Sequence, residues 1–394
     1  MMAVAFGAPF VLGLAPRLRL PSIVVEIALG IVVGPSVLGW VTVDDAIQVI
    51  ATIGLGFLLF LGGLEIDFAR LRGPVLRRTG LGYVLSFALA VAVALGLKAG
   101  GLVETPLLVA IALASTSLGV LIPVLKDSGE IGSTLGQLVI AAGSIADFGA
   151  IILLSVFFSG EGSTTSTLLL IGSLFAIAGA VLFVVRGAEH SMRITATLRR
   201  LQDTTAQIRV RGAMVLLVAF AALAQAFGLE VILGTFAAGA VLTLVDRDEV
   251  MTHPAFRRKL EAIGFGLFIP VFFVTTGVKY DLGALFGSTS TIVMVPVFLA
   301  ALLVVRGLPA VLYRGVVGDG RAVAAALMQA TTLPFVVAAT AIGLDLGLID
   351  AAGSAALIAA GLLSVVAFPV TALALLRGAE PARGAPRAEV AATA

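Results

Sequence analysis

Long apolar runs, separated by short charged or Gly/Pro-rich connections, determine what this chain can fold into. Hydrophobic residues make up 60% of its 394 residues and charged residues only 12%, whereas an ordinary soluble domain has about 25% charged residues. A run of about 20 apolar residues crosses a bilayer as a helix. The sequence therefore predicts an all-α polytopic membrane protein with about thirteen transmembrane helices. The predicted helices are, in chain order, 2–15, 21–40, 46–64, 79–98, 105–125, 132–159, 165–185, 212–226, 229–245, 262–278, 288–313, 321–343 and 352–376.

The connections between these runs differ in charge. When they are numbered alternately, one set holds nearly all of the arginines and lysines, and the other set holds only Lys98 and Lys279. Basic connections tend to stay on the cytoplasmic side of a membrane. We therefore expect a multi-pass protein of the cytoplasmic membrane, with its N-terminus outside and its C-terminus in the cytoplasm. The net charge of +2 gives no reason to expect a nucleic-acid partner.

Residue types that cofactor chemistry requires are scarce. The chain has no cysteine, and its two histidines, His190 and His253, fall in polar connections. Thiolate and imidazole metal centres are therefore excluded, and no cofactor is expected. No histidine-based triad or pair of membrane aspartates indicates an intramembrane enzyme. The apolar opening lacks a basic leader and a small-residue cleavage site, so we interpret it as a first span rather than a signal peptide.

Two short motifs occur twice, in the same order. EIALG at 26–30 matches EVILG at 230–234, and FLGGLEIDFARL at 60–71 resembles VTTGVKYDLGAL at 274–285, with Asp67 over Asp281. In each pair, the first member falls at the predicted cytoplasmic face and the second member at the outer face. We therefore expect inverted-topology repeats at about 21–159 and 229–376. A linking helix and cytoplasmic linker at about 165–226 would join them.

Asp147 is the single ionisable residue in the apolar segment 135–158. A charge near the centre of a membrane helix costs roughly 2.5–3.5 kcal/mol on insertion scales, so it normally faces a cavity, an ion or a partner charge. Such an acid is suited to exchange a proton for a monovalent cation. The alternative is a carboxylate that hydrogen bonds hold to a neighbouring helix.

Polar stretches interrupt the helices at corresponding places in the two repeats. Each stretch lies close to a proline, which removes an amide donor, and its hydroxyl groups can satisfy the backbone groups that are freed. Broken helices at matching positions indicate an ion site near the middle of the membrane. The alternative is a pair of kinks packed between helices. The candidate ion ligands are Asp147, Thr116, Ser115 and Ser144, and the polar residues of the second break are Thr331, Thr332 and Gln329.

Arg306 is the basic residue that lies deepest within an apolar span. Because arginine stays protonated, it can set a local potential but cannot carry the transported proton. Its expected hydrogen-bond acceptor is Asp147, a helix C-terminal carbonyl, Glu26 or Glu230. Glu26 and Glu230 are half-buried acids near span ends, and they are also possible secondary sites for ions. A structural ion pair that holds two helices together is the alternative.

Segments along the whole chain resemble the bacterial monovalent cation:proton antiporters, and specifically their second family, with its Kef-type potassium efflux proteins and sodium/proton exchangers. The segments include LPSIVVEIALGIVVGPSVLG, IGLGFLLFLGGLEIDFARLR, STSLGVLIPVLKDSGEIGSTLGQLVIAAGSIADFGAIILL, GLEVILGTFAAGAVL and IPVFFVTTGVKYDL. The resemblance implies that a core domain with two crossed, broken helices moves against a dimerisation domain, so a homodimer is expected. It also implies that Asp147 binds the ion and that Arg306 occupies the family's basic position.

Two departures from the family pattern bear on mechanism. Ala146 precedes Asp147 where many members carry a second polar or acidic residue, and arginine at position 306 resembles electroneutral relatives. We therefore expect one cation to exchange for one proton without net current. We also expect no Kef-type regulatory domain after the last span, and a disordered cytoplasmic tail at 379–394.

Taken together, these features predict a membrane domain at 1–378 that exchanges Na⁺ or K⁺ for H⁺ by alternating access and serves ion transport and pH homeostasis. Hydroxyl, carbonyl and carboxylate oxygens suit Na⁺, K⁺ and Li⁺ alike, so the sequence does not select among them. The alternatives are a sodium-coupled organic-anion symporter of related architecture, a Kef-like potassium efflux protein without its regulatory domain, and a membrane receptor that transports nothing.

Overall fold

The computed structural model describes residues 1–14, 21–65, 73–158, 164–189, 204, 206–245 and 254–379. Regular structure within these residues is helical throughout, which confirms the predicted all-α class. Asp67, His190, His253, part of the predicted linker and the tail from 380 onward lie outside the described residues. The α-helices are α1 (Met2–Leu14), α2 (Ser22–Val33), α3 (Asp45–Leu64), α4 (Gly73–Ala99), α5 (Pro106–Leu113), α6 (Leu118–Asp127), α7 (Thr134–Phe158), α8 (Thr164–Glu189), α9 (Ile208–Ala226), α10 (Val231–Val245), α11 (Pro254–Ile263), α12 (Ile269–Val278), α13 (Leu282–Phe286), α14 (Thr289–Leu302), α15 (Arg314–Val317), α16 (Asp319–Gln329), α17 (Pro334–Asp345) and α18 (Ala351–Ala379).

The lengths of these helices suit a membrane. In the described part of the chain, nine helical segments are long and apolar enough to cross a bilayer. Shorter apolar helices accompany them at Met2–Leu14, Ser22–Val33, Pro106–Ile122 and Val231–Leu244. The chain is therefore a multi-pass membrane protein, while the count of thirteen spans stays a prediction.

Local sequence explains where some helices end or change form. Helix α2 ends at Val33 rather than near residue 40, because Gly34 is extended, with ψ of −180°, and precedes Pro35; a residue before proline is disfavoured in the α conformation. The short helix α13 was not predicted. Asp281 caps its start by accepting a hydrogen bond from the amide of Ala284 at 2.8 Å, as aspartate commonly does.

The helices pack in two groups. Helices α2 and α3 pack against α12 and α10, whereas α4, α5, α6 and α7 pack with one another and with the segment 303–345. Helix α2 crosses α12 at glycines: a Cβ on Gly277 would lie 2.8 Å from the Cα of Gly30. Helix α3 crosses α10 in the same manner, since a Cβ on Gly239 would lie 3.1 Å from the Cα of Gly63. This reciprocal packing is what a pair of structural repeats produces.

Two unwound stretches cross at the centre of the second group. Residues 114–117 separate α5 from α6, and residues 330–333 separate α16 from α17. The amide of Ser117 donates to the carbonyl oxygen of Thr331 at 2.9 Å, and the hydroxyl groups of Ser115 and Thr332 lie 2.8 Å apart. Each stretch thus satisfies polar groups that the other leaves without helical partners. The predicted pair of crossed, discontinuous helices is confirmed.

Candidate functional site

Asp147 lies on α7, where the helix passes the first break. Its side chain is half-buried, and the amide of Thr116 donates to its Oδ1 atom at 3.3 Å. Helix α6 begins at Leu118, only two residues beyond Thr116. The N-terminus of a helix carries partial positive charge and unsatisfied amide groups, so it stabilises a nearby carboxylate.

Arg306 lies deep in the same region and is 1% exposed. Its Nε donates to the hydroxyl of Thr116 at 2.9 Å, its Nη1 to the hydroxyl of Ser86 at 3.0 Å, and its Nη2 to the carbonyl oxygen of Ala142 at 3.4 Å. The residue belongs to a π-helical turn, Leu303–Gly307, of the kind that often occurs at functional sites. Of the acceptors expected from the sequence, none is a direct partner within the described residues.

Thr116 therefore links the arginine to the aspartate. Its hydroxyl accepts from Arg306 and donates to the carbonyl oxygen of Gln329 at 2.8 Å, while its amide donates to Asp147. The guanidinium charge acts on the carboxylate through space and through the position of the first break. Arg306 and Asp147 do not form an ion pair among the described residues.

Of the hydroxyl groups near Asp147, the three predicted as ligands are bonded within the protein. Ser115 Oγ donates to the carbonyl oxygen of Ala112 at 2.8 Å or pairs with Thr332, Thr116 Oγ1 has the partners given above, and Ser144 Oγ donates to the carbonyl oxygen of Ile140 at 3.0 Å. Their role as ion ligands stays a prediction.

Ser117 is different, and sequence reasoning missed it as a ligand. Its side chain is 5% exposed, yet its Oγ has no hydrogen-bond partner in the described part of the chain. A buried hydroxyl without a partner costs free energy unless something outside the protein binds it. The available signal was its place at the end of the STS triplet, directly before α6.

A cavity of about 70 Å³ brings these groups together. Its polar lining consists of Glu65, Thr116, Ser117 and Asp147, and most of its remaining wall is apolar. Glu65, which ends α3, is the second residue that sequence reasoning did not place at the site. A volume of this size holds one or two water-sized groups and therefore suits a single small ion.

The other predicted site residues lie apart from this cavity. Thr331 Oγ1 donates to the carbonyl oxygen of Leu327 at 3.2 Å, and the Nε2 atom of Gln329 is buried without a partner in the described region. Glu26, on α2, and Glu230, just before α10, do not line the cavity that holds Asp147. The structure therefore brings Asp147 and the first break together and leaves the two secondary acids elsewhere.

Two crossed, broken helices beside a lone carboxylate in a membrane helix define a secondary transporter built from structural repeats. Residues 2–378 match the transmembrane domain of the sodium/hydrogen exchangers, and the chain belongs to this family. The resemblance described above is thereby confirmed. Because the family consists of transporters, the expectation that this chain is not an enzyme is confirmed as well.

Individual relatives show how far the similarity extends. YjbQ of Bacillus subtilis (strain 168) is 31% identical over 386 residues, which cover 94% of this chain and 61% of YjbQ. The Na⁺/H⁺-K⁺ antiporter GerN of Bacillus cereus is 28% identical over 276 residues, 68% of this chain and 67% of GerN. This chain therefore spans only about two thirds of the length of these two relatives.

A solved structure shares the fold. The sodium proton antiporter MjNhaP1 from Methanocaldococcus jannaschii superimposes with a TM-score of 0.69 over 95% of this chain and 96% of that protein. The two sequences are 18% identical, so this likeness concerns the architecture alone.

Proposed function

We propose that this chain exchanges a monovalent cation, Na⁺ or K⁺, for H⁺ across the cytoplasmic membrane by alternating access. The observation that carries the proposal is the cavity in which Asp147 meets the amide of Thr116 and the hydroxyl of Ser117, which has no partner among the described residues. A carboxylate, a hydroxyl and backbone carbonyl oxygens are the ligand types that a hard monovalent cation takes, and the amide of Thr116 holds the carboxylate in place.

Cation and proton compete for Asp147 in this mechanism. The deprotonated carboxylate binds the cation, together with Ser117 Oγ and with further oxygens from Thr116, Ser115 or Ser144. Protonation removes the negative charge and releases the cation. The carboxylate is neutralised both when it binds the cation and when it is protonated. In both states it crosses the barrier without moving an unpaired charge through a medium of low dielectric constant.

The same count of charges makes the exchange electroneutral. Asp147 alternates between one proton and one monovalent cation, and Ala146 supplies no second titrating group beside it. Arg306 keeps its proton throughout. Its charge favours the deprotonated carboxylate between the two loaded states and holds the first break through Thr116.

Alternating access follows from the division into two groups of helices. The group that contains α4–α7 and the crossed breaks carries Asp147, and it would rock against the group that contains α2, α3, α10 and α12. The distribution of basic residues supports an outside N-terminus and a cytoplasmic C-terminus. We expect a homodimer within the lipid bilayer, and the membrane domain to occupy residues 1–378 with a cytoplasmic tail after it.

An organic-anion symporter is disfavoured by the site. Its substrate would need more room than about 70 Å³ and a cationic group to receive its carboxylate. Arg306 donates to Thr116 at the site, and its Nε, Nη1 and Nη2 atoms are all bonded to protein oxygens. A Kef-like potassium efflux protein without its regulatory domain would use the same chemistry, and the choice of cation distinguishes it.

Transport in proteoliposomes tests the proposal. Wild-type protein, reconstituted with a pH-sensitive dye inside, should give proton flux on addition of NaCl or KCl, and comparison with LiCl and choline chloride gives the selectivity. Asp147→Asn should abolish the flux while the purified protein keeps its size-exclusion profile. The matched control is Asp319→Asn, since Asp319 is 85% exposed and pairs with Arg314 at the surface. Exchange that persists in Asp147→Asn would exclude the proposed role.

A further inference from the structure

Glu65 is the second carboxylate of the cavity that holds Asp147. It directly follows Leu64, the last residue of α3, and its amide donates to the carbonyl oxygens of Leu61 and Gly62 at 3.1 and 3.2 Å. The backbone of Glu65 is therefore anchored to the end of the helix, and its side chain is half-buried. It forms no ion pair in the described part of the chain.

Charged side chains from two other helices act on Glu65. Arg257 and Glu261 form an exposed ion pair at 2.9 Å on α11, and both interact electrostatically with Glu65. Asp147 lines the same cavity as Glu65, so negative charges on the two carboxylates would oppose each other there. Glu65 is therefore under the influence of a surface ion pair and shares its cavity with the exchange site. Two carboxylates facing one small cavity favour a cation between them.

A hydroxyl group in the same cavity independently indicates a ligand. Ser117 is more than nine-tenths buried, and its Oγ lacks a partner among the described residues although it lines the cavity together with Glu65 and Asp147. The hydroxyl of a serine can rotate, so it can present an oxygen lone pair to a cation at Glu65 or to a cation at Asp147. It can therefore serve a cation on its way between Glu65 and Asp147.

The two carboxylates belong to different groups of helices. Glu65 directly follows α3, which packs against α10 and α12, whereas Asp147 lies on α7, which packs mainly against α4, α5, α6 and α16. If these groups rock against each other during transport, the distance between Glu65 and Asp147 changes with the conformation. Glu65 would then serve the cavity on one side of the membrane only.

We propose that Glu65 is a second binding station for the transported cation, on the route between the cytoplasmic surface and Asp147. This inference rests on the proposed exchange function and adds the entry route. Because Glu65 stays on one side of the barrier, any proton that it binds returns to the compartment from which it came. The station therefore raises the local cation concentration without changing the ratio of cations to protons.

A comparison of membrane vesicles of opposite orientation tests this station. Everted vesicles present the cytoplasmic face to the added salt, and right-side-out vesicles present the outer face. Glu65→Gln should raise the half-saturating Na⁺ or K⁺ concentration about three- to tenfold in everted vesicles and leave it unchanged in right-side-out vesicles. Glu65→Asp, which keeps the charge, should restore most of the loss. Asp319→Asn is the matched control, because Asp319 is an exposed carboxylate outside this cavity.

Several outcomes would overturn the station. They are an unchanged half-saturating concentration in everted vesicles, an equal change or a complete loss in both orientations, and a change confined to right-side-out vesicles. Glu65→Gln could fail to accumulate in the membrane, in which case Glu65→Asp decides. A half-saturating cation concentration of Glu65→Asp equal to that of wild type in both orientations supports a requirement for the negative charge. If Glu65→Asp also fails to accumulate, Glu65 has a structural role and the station is overturned. Exchange that depends on Asp147 would leave the proposed function intact in all of these cases.

Discussion

The two broken helices have similar backbones and different chemistry. In the second break, Ser364 accepts from the amide of Thr332 at 3.1 Å and approaches the carbonyl oxygen of the same residue at 2.9 Å, so the backbone of Thr332 is bonded within the protein. In the first break, the amide of Thr116 is directed to Asp147 and the hydroxyl of Ser117 has no partner in the described part of the chain. Repeated architecture therefore does not imply a repeated site. The second break supports the first, and the first faces the ion.

Arg306 sharpens this contrast most, because its hydrogen bonds reach the first break and not the second. Arg306→Met would leave the hydroxyls of Thr116 and Ser86 and the carbonyl of Ala142 without their donor, and charge-assisted bonds of this kind contribute about 1.5–3 kcal/mol each. We expect at least about a 100-fold loss of exchange rate together with a lower melting temperature. Initial rates in proteoliposomes and a thermal melt of the purified protein measure both.

Arg306→Lys serves as the control for charge alone. Lysine keeps the positive charge but cannot donate in three directions from a planar group. We expect an intermediate rate, about tenfold below that of wild type. A lysine variant with full activity would contradict the claim that the position of the first break depends on the guanidinium geometry.

Ser117 and Ser364 provide a matched pair of serines, one at each break. Ser117→Ala should raise the half-saturating cation concentration about three- to tenfold with little change in stability, because its hydroxyl has no partner to lose in the described part of the chain. Ser364→Ala should have the opposite effect, lowering the free energy of unfolding by about 1–3 kcal/mol through the unsatisfied amide of Thr332 while leaving the cation affinity nearly unchanged. Transport assays give the half-saturating cation concentration of each variant, and thermal melts give the stability of each.

The outcome that would contradict this comparison is a symmetric one. If both serine variants lose stability equally and keep the wild-type affinity, then Ser117 is a packing residue like Ser364. If both lose affinity equally, then the ion contacts the second break as well.

The smallest expected signal concerns the electrical current. Asp147 is the single carboxylate that is expected to carry charge across the barrier, so one cation should move for each proton and no net current should flow. Solid-supported-membrane electrophysiology on the reconstituted protein should show no sustained current under conditions in which the pH dye reports exchange. Sustained currents that depend on Asp147 would show that a second group titrates across the membrane.

Much of this architecture could be predicted from the sequence, because hydrophobic length and local chain chemistry determine it. Asp147 was identifiable as the lone charge in a membrane span, and both breaks were marked by hydroxyl residues near prolines. The end of α2 was predicted too late, at residue 40 instead of Val33, although Gly34 before Pro35 is a local signal for it. These signals act within one segment and need no knowledge of its neighbours.

The rest depended on contacts between segments distant in sequence. The partners of Arg306 come from three separate segments, and no pattern near residue 306 indicates Ser86 or Ala142. The sequence also could not show which hydroxyl of the STS triplet remains without a partner, because Gln329 and Thr332 from the second break bond the other two. Glu65 resembled an ordinary acid at the end of a span, and only the folded chain places it in the cavity with Asp147.

The central claim, that cation and proton compete for Asp147, is tested most directly by proton release on cation binding. Purified protein in weakly buffered solution, at a pH at which the site is protonated, should release about one proton per chain when NaCl or KCl is added, since a ligand must lose its proton to bind the metal ion. Lowering the pH further should weaken the apparent cation affinity. Asp147→Asn should release no proton, and Asp319→Asn should behave like wild type. Equal proton release from wild type and Asp147→Asn would show that the competition takes place at another residue.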